Sequence, residues 1–184
     1  MTSGKPLVIV LAGTAATGKS TIAARIIRDF KDTLPNLKFI EGDDLHPPAN
    51  IAKMSAGIPL QDEDRWEWLK DVAHKGSECA KANGDVSIVA CSSLKKKYRD
   101  LIRQTEPETT FYFIFLYASK EEILNRLNQR KGHFMKANMM ESQFKDLELP
   151  RYLKEPNCKV ILLDDKDFPQ IEDIVVETCN DLFT

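Results

Sequence analysis

At 184 residues the chain has the length of one domain, enough for a sheet covered on both faces and too short for two independent cores. Lys and Arg number 26 against 28 Asp and Glu, a net charge of −2, so composition gives no electrostatic footprint for a nucleic-acid partner, and an anionic substrate must be met by individually placed basic residues. No apolar run approaches the length that spans a bilayer, and no membrane partner is expected.

The run Leu7–Ala12 reads as a buried strand and enters Gly13-Thr14-Ala15-Ala16-Thr17-Gly18-Lys19-Ser20-Thr21, a complete G-x-x-x-x-G-K-S loop that opens a helix. Its glycines let the backbone N–H groups of residues 13–21 turn inward around phosphate oxygens, with Lys19 reaching the β- and γ-phosphates and the Ser20 hydroxyl ligating Mg²⁺. The helix runs from Lys19 to about Phe30, with Ile22, Ala23, Ile26, Ile27 and Phe30 on the inner stripe. Leu37–Ile40 is a short second strand that empties into Glu41-Gly42-Asp43-Asp44-Leu45-His46-Pro47-Pro48. Ligands of open α/β sheets sit beyond the carboxyl ends of the strands, which puts this acidic loop beside the phosphate loop. Asp43 could then accept a proton from an incoming hydroxyl or orient a Mg²⁺-bound water.

A short helical piece, Ala49–Ala56, carries Asn50 and Lys53, and Asp64 reads as the N-cap of the next helix. Trp66, Leu69, Val72 and Ala73 form its inward stripe, both tryptophans read as core, and Arg65 lies between Asp62 and Asp64, where a plain ion pair would also account for it. Val86–Cys91 is a third strand without the terminal Asp that some nucleotide-binding folds use for metal. Arg99 follows one helical turn after Lys95 and Lys96, within reach of an anion. Phe111–Tyr117 is a fourth strand. Ser119 caps a helix, Lys120 to about Arg130, that sets Arg126 and Arg130 on one face. Residues 131–157 make an excursion long enough to be a lid, with His133 near its start and a helix from Met139 to Leu147. Lys159–Leu163 and Phe168–Leu182 complete the chain as a strand and a helix. The four cysteines have no C-x-x-C spacing and no signal peptide precedes the first strand, so reduced thiols in a cytoplasmic protein are expected.

This order of elements describes a single-domain α/β chain of the small P-loop kinase type, with a cradle, a metal, a carboxylate, cations and a closing lid. A switch GTPase is disfavoured because no N-K-x-D motif is present. The residues alone leave the acceptor unnamed.

Four segments resemble the gluconokinases: Glu41–Pro47, Asn50–Arg65, Cys91–Asp100, and His133-Phe134-Met135 with Ser142-Gln143-Phe144. The resemblance spans nearly the whole chain. It implies a five-stranded parallel sheet, ATP and Mg²⁺ as cofactors, D-gluconate as the small-molecule substrate, 6-phospho-D-gluconate feeding the pentose phosphate pathway, and often a homodimer. Carried over by position, Asp43 activates the 6-hydroxyl, His46, Lys53, Arg65, Arg99 and His133 contact gluconate, and Arg126 and Arg130 sit by adenine and the phosphates. The loop reads Thr14-Ala15-Ala16-Thr17 where the family often has more Gly and Ser, which matters little to a backbone cradle. Kinases of shikimate, nucleosides or nucleotides use the same scaffold, and a nucleotide-binding protein without catalysis is the alternative from another class.

Overall fold

Five short runs rich in β-branched and aromatic residues form one all-parallel sheet in the computed structural model, which describes residues 4–129, 137–151 and 153–184. The strands are β1 (Leu7–Ala12), β2 (Phe39–Glu41), β3 (Val86–Ala90), β4 (Thr110–Tyr117) and β5 (Cys158–Leu162), in the spatial order β2-β3-β1-β4-β5. The helices are α1 (Lys19–Asp29), α2 (Pro48–Ser55), α3 (Asp62–Ala82), α4 (Lys96–Thr105), α5 (Lys120–Gln129), α6 (Ala137–Asp146) and α7 (Phe168–Phe183).

β1 is the central strand, and its alternating residues feed two cores. Ile9 and Leu11 pack with Ile22 and Ile26 of α1 and Ile171 and Val175 of α7, whereas Val8, Val10 and Ala12 pack with Leu69 and Val72 of α3 and Ile102 of α4. A strand covered on both faces has no polar face to show, which is why this run is apolar without a break. The sheet order grows in opposite directions from β1, to β3 on one side and β4 on the other, so a crevice opens at the carboxyl end of β1. The loops after β1, β2 and β3 meet there.

Two expectations shift. α3 begins at Asp62, with Gln61 as its N-cap, because the Asp64 carboxylate reaches back to accept the Gln61 N–H at 2.8 Å and therefore lies inside the first turn. Asp62, Glu63 and Asp64 then all face the positive end of the helix dipole. Trp68 is the deeply buried tryptophan, while Trp66 is half-buried and meets Tyr98 edge-on at 6.0 Å.

Past α6 the chain is tied to the body, where Glu148 N–H donates to Leu94 O at 2.7 Å and the Glu148 carboxylate accepts Lys96 N–H at 2.9 Å. Among the described residues no helix is long and apolar enough to cross a membrane.

Candidate active site

The loop between β1 and α1 needs glycine at its entry. Gly13 has φ 129°, and a Cβ there would stand 2.3 Å from Leu116 O. The fully buried Thr17 donates its hydroxyl to Thr14 O at 3.0 Å, and Lys19 Nζ reaches Thr14 O at 2.7 Å and Thr17 Oγ1 at 3.3 Å. Loss of water around the Lys19 ammonium lowers its pKa to about 8, against the pull of Asp43 and Glu41. A cation held this way gains most from an anion that restores its charge balance.

Glu41, the last residue of β2, was not singled out by sequence reasoning, although it opens the acidic run. Its Oε2 accepts the Ser20 hydroxyl at 3.2 Å, which joins the acidic turn to the phosphate loop. Burial, and then the neighbouring Asp43 charge, raise the Glu41 carboxyl above its ordinary range.

Asp43 stands on the 3-10 turn Gly42–Leu45 with its side chain 73% exposed. The turn is pinned from behind: Trp68 Nε1 donates to Gly42 O at 2.8 Å, and a Cβ on Gly42 would lie 2.3 Å from Ala90 O. His46 lies behind Asp43, its side chain 3% exposed and its ring stacked on Trp68 at 3.9 Å. Asn50 Nδ2 meets His46 Nδ1 at 3.1 Å and donates to Asp64 O at 2.7 Å, so the Asn50 amide nitrogen faces two acceptors and the neutral imidazole carries its proton on Nε2. That nitrogen is 3.9 Å from Asp43 Oδ1. Burial lowers the His46 pKa, which keeps the ring neutral. His46, expected to contact substrate, thus lies covered by Trp68 with Nε2 turned toward Asp43.

Arg65 and Lys95 share a cavity of about 450 Å³ with Asp62 on one side and Asp146 of α6 on the other. Arg65 donates to the Tyr98 hydroxyl at 2.8 Å and lies 3.4 Å from Asp146, while Lys95 Nζ is 3.3 Å from Asp62 and 3.6 Å from Asp146. Lys97 and the Tyr98 hydroxyl also bond Asp62, and these bonds hold its carboxyl far below the usual range. Lys95 was hidden in the sequence by the Lys95-Lys96-Lys97 run, which reads as a solvated face. Lys53, 40% exposed, is paired with Asp64 at 2.9 Å at the start of α3.

Arg99, expected to meet an anion, is instead enclosed. The side chain has no exposed surface: Nε and Nη2 hold Glu155 at 2.6 and 2.9 Å, Nη1 donates to Ser93 O at 2.7 Å, and Nη2 to Glu148 O at 2.8 Å. A guanidinium so enclosed is a structural tie and does not reach an acceptor. Arg126 pairs with Glu122 one turn back on α5 at 3.0 Å. Arg130 and His133 lie outside the described residues.

A phosphate loop feeding a helix, an acidic turn joined to it through Ser20, and a parallel sheet ordered β2-β3-β1-β4-β5 define a P-loop kinase. A family model described as adenylylsulphate kinase matches residues 5–150. A "Probable gluconokinase" of Saccharomyces cerevisiae is 65% identical over 96% of this chain and 92% of that protein, and the "Thermosensitive gluconokinase" of Escherichia coli is 42% identical over 77% of this chain and 72% of its own. The crystal structure of a gluconokinase from Sinorhizobium meliloti superposes with a TM-score of 0.80 at 34% identity, covering 96% of this chain and 93% of that one. The chain belongs to the gluconokinase family. It is a kinase, and ATP is its donor.

Proposed function

We propose that this chain transfers the terminal phosphoryl group of ATP to the 6-hydroxyl of D-gluconate, giving 6-phospho-D-gluconate and ADP. The observation that carries the reading is the link from Ser20 to Glu41, which sets the exposed Asp43 two residues away from a group in contact with the phosphate loop.

In this reading Lys19 and the N–H groups of the loop other than that of Ala15, which donates to Gln143 Oε1, hold the phosphates of ATP. Asp43 accepts the proton of the 6-hydroxyl as its oxygen forms a bond to the terminal phosphorus. The bond from that phosphorus to the bridging oxygen breaks, and ADP leaves with the electron pair. His46 orients Asp43 from behind. Arg65 and Lys95 supply cations for the acceptor carboxylate, and a guanidinium can bind a carboxylate at two points.

The Ser20 hydroxyl and the Glu41 carboxylate are hard oxygen donors, 3.2 Å apart at the loop, and they fit Mg²⁺. Among the described residues no group of three or more His, Cys, Asp or Glu side chains could hold a metal by itself, which suits an ion shared with nucleotide phosphates and water. When bound, Mg²⁺ would neutralise phosphate charge. The four cysteines are free, as in a cytoplasmic enzyme.

A panel of acceptors with ATP and Mg²⁺ tests the reading: D-gluconate, shikimate, nucleosides, nucleotides and adenylyl sulfate. Gluconate should show the largest kcat/KM. Preference for adenylyl sulfate, whose kinase family model the chain matches, would overturn it.

A further inference from the structure

One hydrogen bond crosses between two parts of the chain that the mechanism treats separately. Ala15 N–H, inside the phosphate loop, donates to Gln143 Oε1 of α6 at 2.9 Å, across 128 residues. Three residues on, and so on the same side of the helix, Asp146 lies between Arg65 and Lys95 of the acceptor cavity. Glu141, one half-turn before Gln143, pairs with Lys120 at the start of α5. Thus α6 rests on the nucleotide loop through one side chain and walls the acceptor cavity with another.

We propose that Gln143 is a positioning residue that couples the two substrate sites. It seats α6 on the phosphate loop, and the seated helix sets Asp146 against the two cations that receive the acceptor. A nucleotide that orders the loop lowers the cost of ordering α6, and gluconate then meets a cavity whose wall is already in place. Linkage makes this reciprocal, so gluconate must tighten nucleotide binding by the same factor. The inference rests on the gluconate reading of the acceptor cavity.

Calorimetric titration of D-gluconate, with and without the non-hydrolysable analogue AMP-PNP, tests it on the intact chain. In the wild type the analogue should tighten gluconate binding by about 5-fold or more, the range of ordinary coupling between sites. Gln143→Ala should bring that factor close to one. Gln143→Glu keeps an oxygen for Ala15 N–H, so gluconate alone should bind as in the wild type, but its charge beside the phosphates should weaken AMP-PNP by about 10-fold.

A helix that merely needed its packing would respond alike to both substitutions, and identical behaviour of the Ala and Glu variants would overturn the proposal. So would wild-type coupling in Gln143→Ala, or no coupling in the wild type, and both results leave the acceptor assignment standing. Failure of the wild type to bind gluconate at all would bring down that assignment and this proposal together.

Discussion

Arg99 and Glu155, 56 residues apart in the chain, form a buried two-point ion pair with N–O distances of 2.6 and 2.9 Å. Arg103 adds a third bond to the same carboxylate at 2.9 Å. The pair ties α4 to the segment that returns from α6 to β5. Arg99→Ala would remove two guanidinium bonds from the buried Glu155 carboxylate and leave Arg103 as the cation still bonded to it, and should cost about 3 kcal/mol of stability, the lower end for breaking a buried pair. Urea unfolding measures the loss. A variant of undiminished stability with a selectively raised gluconate KM would return Arg99 to the substrate site.

The same pair makes a pH prediction. Burial alone would raise the Glu155 carboxyl, but the bonds from Arg99 and Arg103 overcome it and hold the pKa near about 2, below the ordinary 4.5. The fold therefore favours the ionised form. Its contribution is complete above pH 4.5 and drains away as pH falls toward 2. Stability curves for wild type and Glu155→Gln should converge over that interval, and parallel curves would refute the assignment.

Lys19 and Asp43 should separate by what each substitution spares. Lys19→Met removes the cation over the phosphates and should lower turnover by at least about 100-fold, the cost of one lost donor to developing charge. Asp43→Asn should lower kcat by about 100- to 10,000-fold, as expected for loss of a general base, with AMP-PNP affinity little changed. Steady-state rates and nucleotide titration decide both, and full activity of Asp43→Asn would exclude its role as base.

Glu41→Gln keeps the shape of the contact with Ser20 and removes the charge. The expected outcome is a Mg²⁺ requirement raised by about 10- to 100-fold, as when a group supporting a metal ligand is lost, with a smaller effect on kcat at saturating metal. Activity titrated against Mg²⁺ reads this directly. An unshifted Mg²⁺ curve would remove Glu41 from the metal site.

Gly42→Ala should behave like a damaged Asp43 although it touches no substrate. The added Cβ would meet Ala90 O at 2.3 Å, against main chain that cannot yield, so the turn carrying Asp43 must move outward. The kcat should fall with nucleotide affinity retained. Wild-type kcat would show that the turn has slack the structure does not display.

Much of this molecule is written locally. The apolar run Leu7–Ala12, the glycines of the phosphate loop and the helical register of Ile22 and Ile26 are short-range patterns, and each became the element it implied. Boundaries moved where a side chain acted over one turn, as when Asp64 reached back to Gln61 and α3 began three residues sooner. The acidic loop was legible as a unit, yet which carboxylate would meet Ser20 was not, because that depends on where β2 ends against the phosphate loop.

The sequence by itself determined the parallel sheet, the phosphate cradle and the acidic turn, since periodicity and backbone chemistry act between residues that are near neighbours along the chain. Only the tertiary structure decided that Arg99 is enclosed while Arg65 and Lys95 line the cavity, that His46 stands behind Asp43, and that Gln143 reaches Ala15. A long cationic side chain suits a buried pair and an open cleft equally well. Its fate is set by the partner that distant chain brings to it, here Glu155 for Arg99 and Asp146 for Arg65.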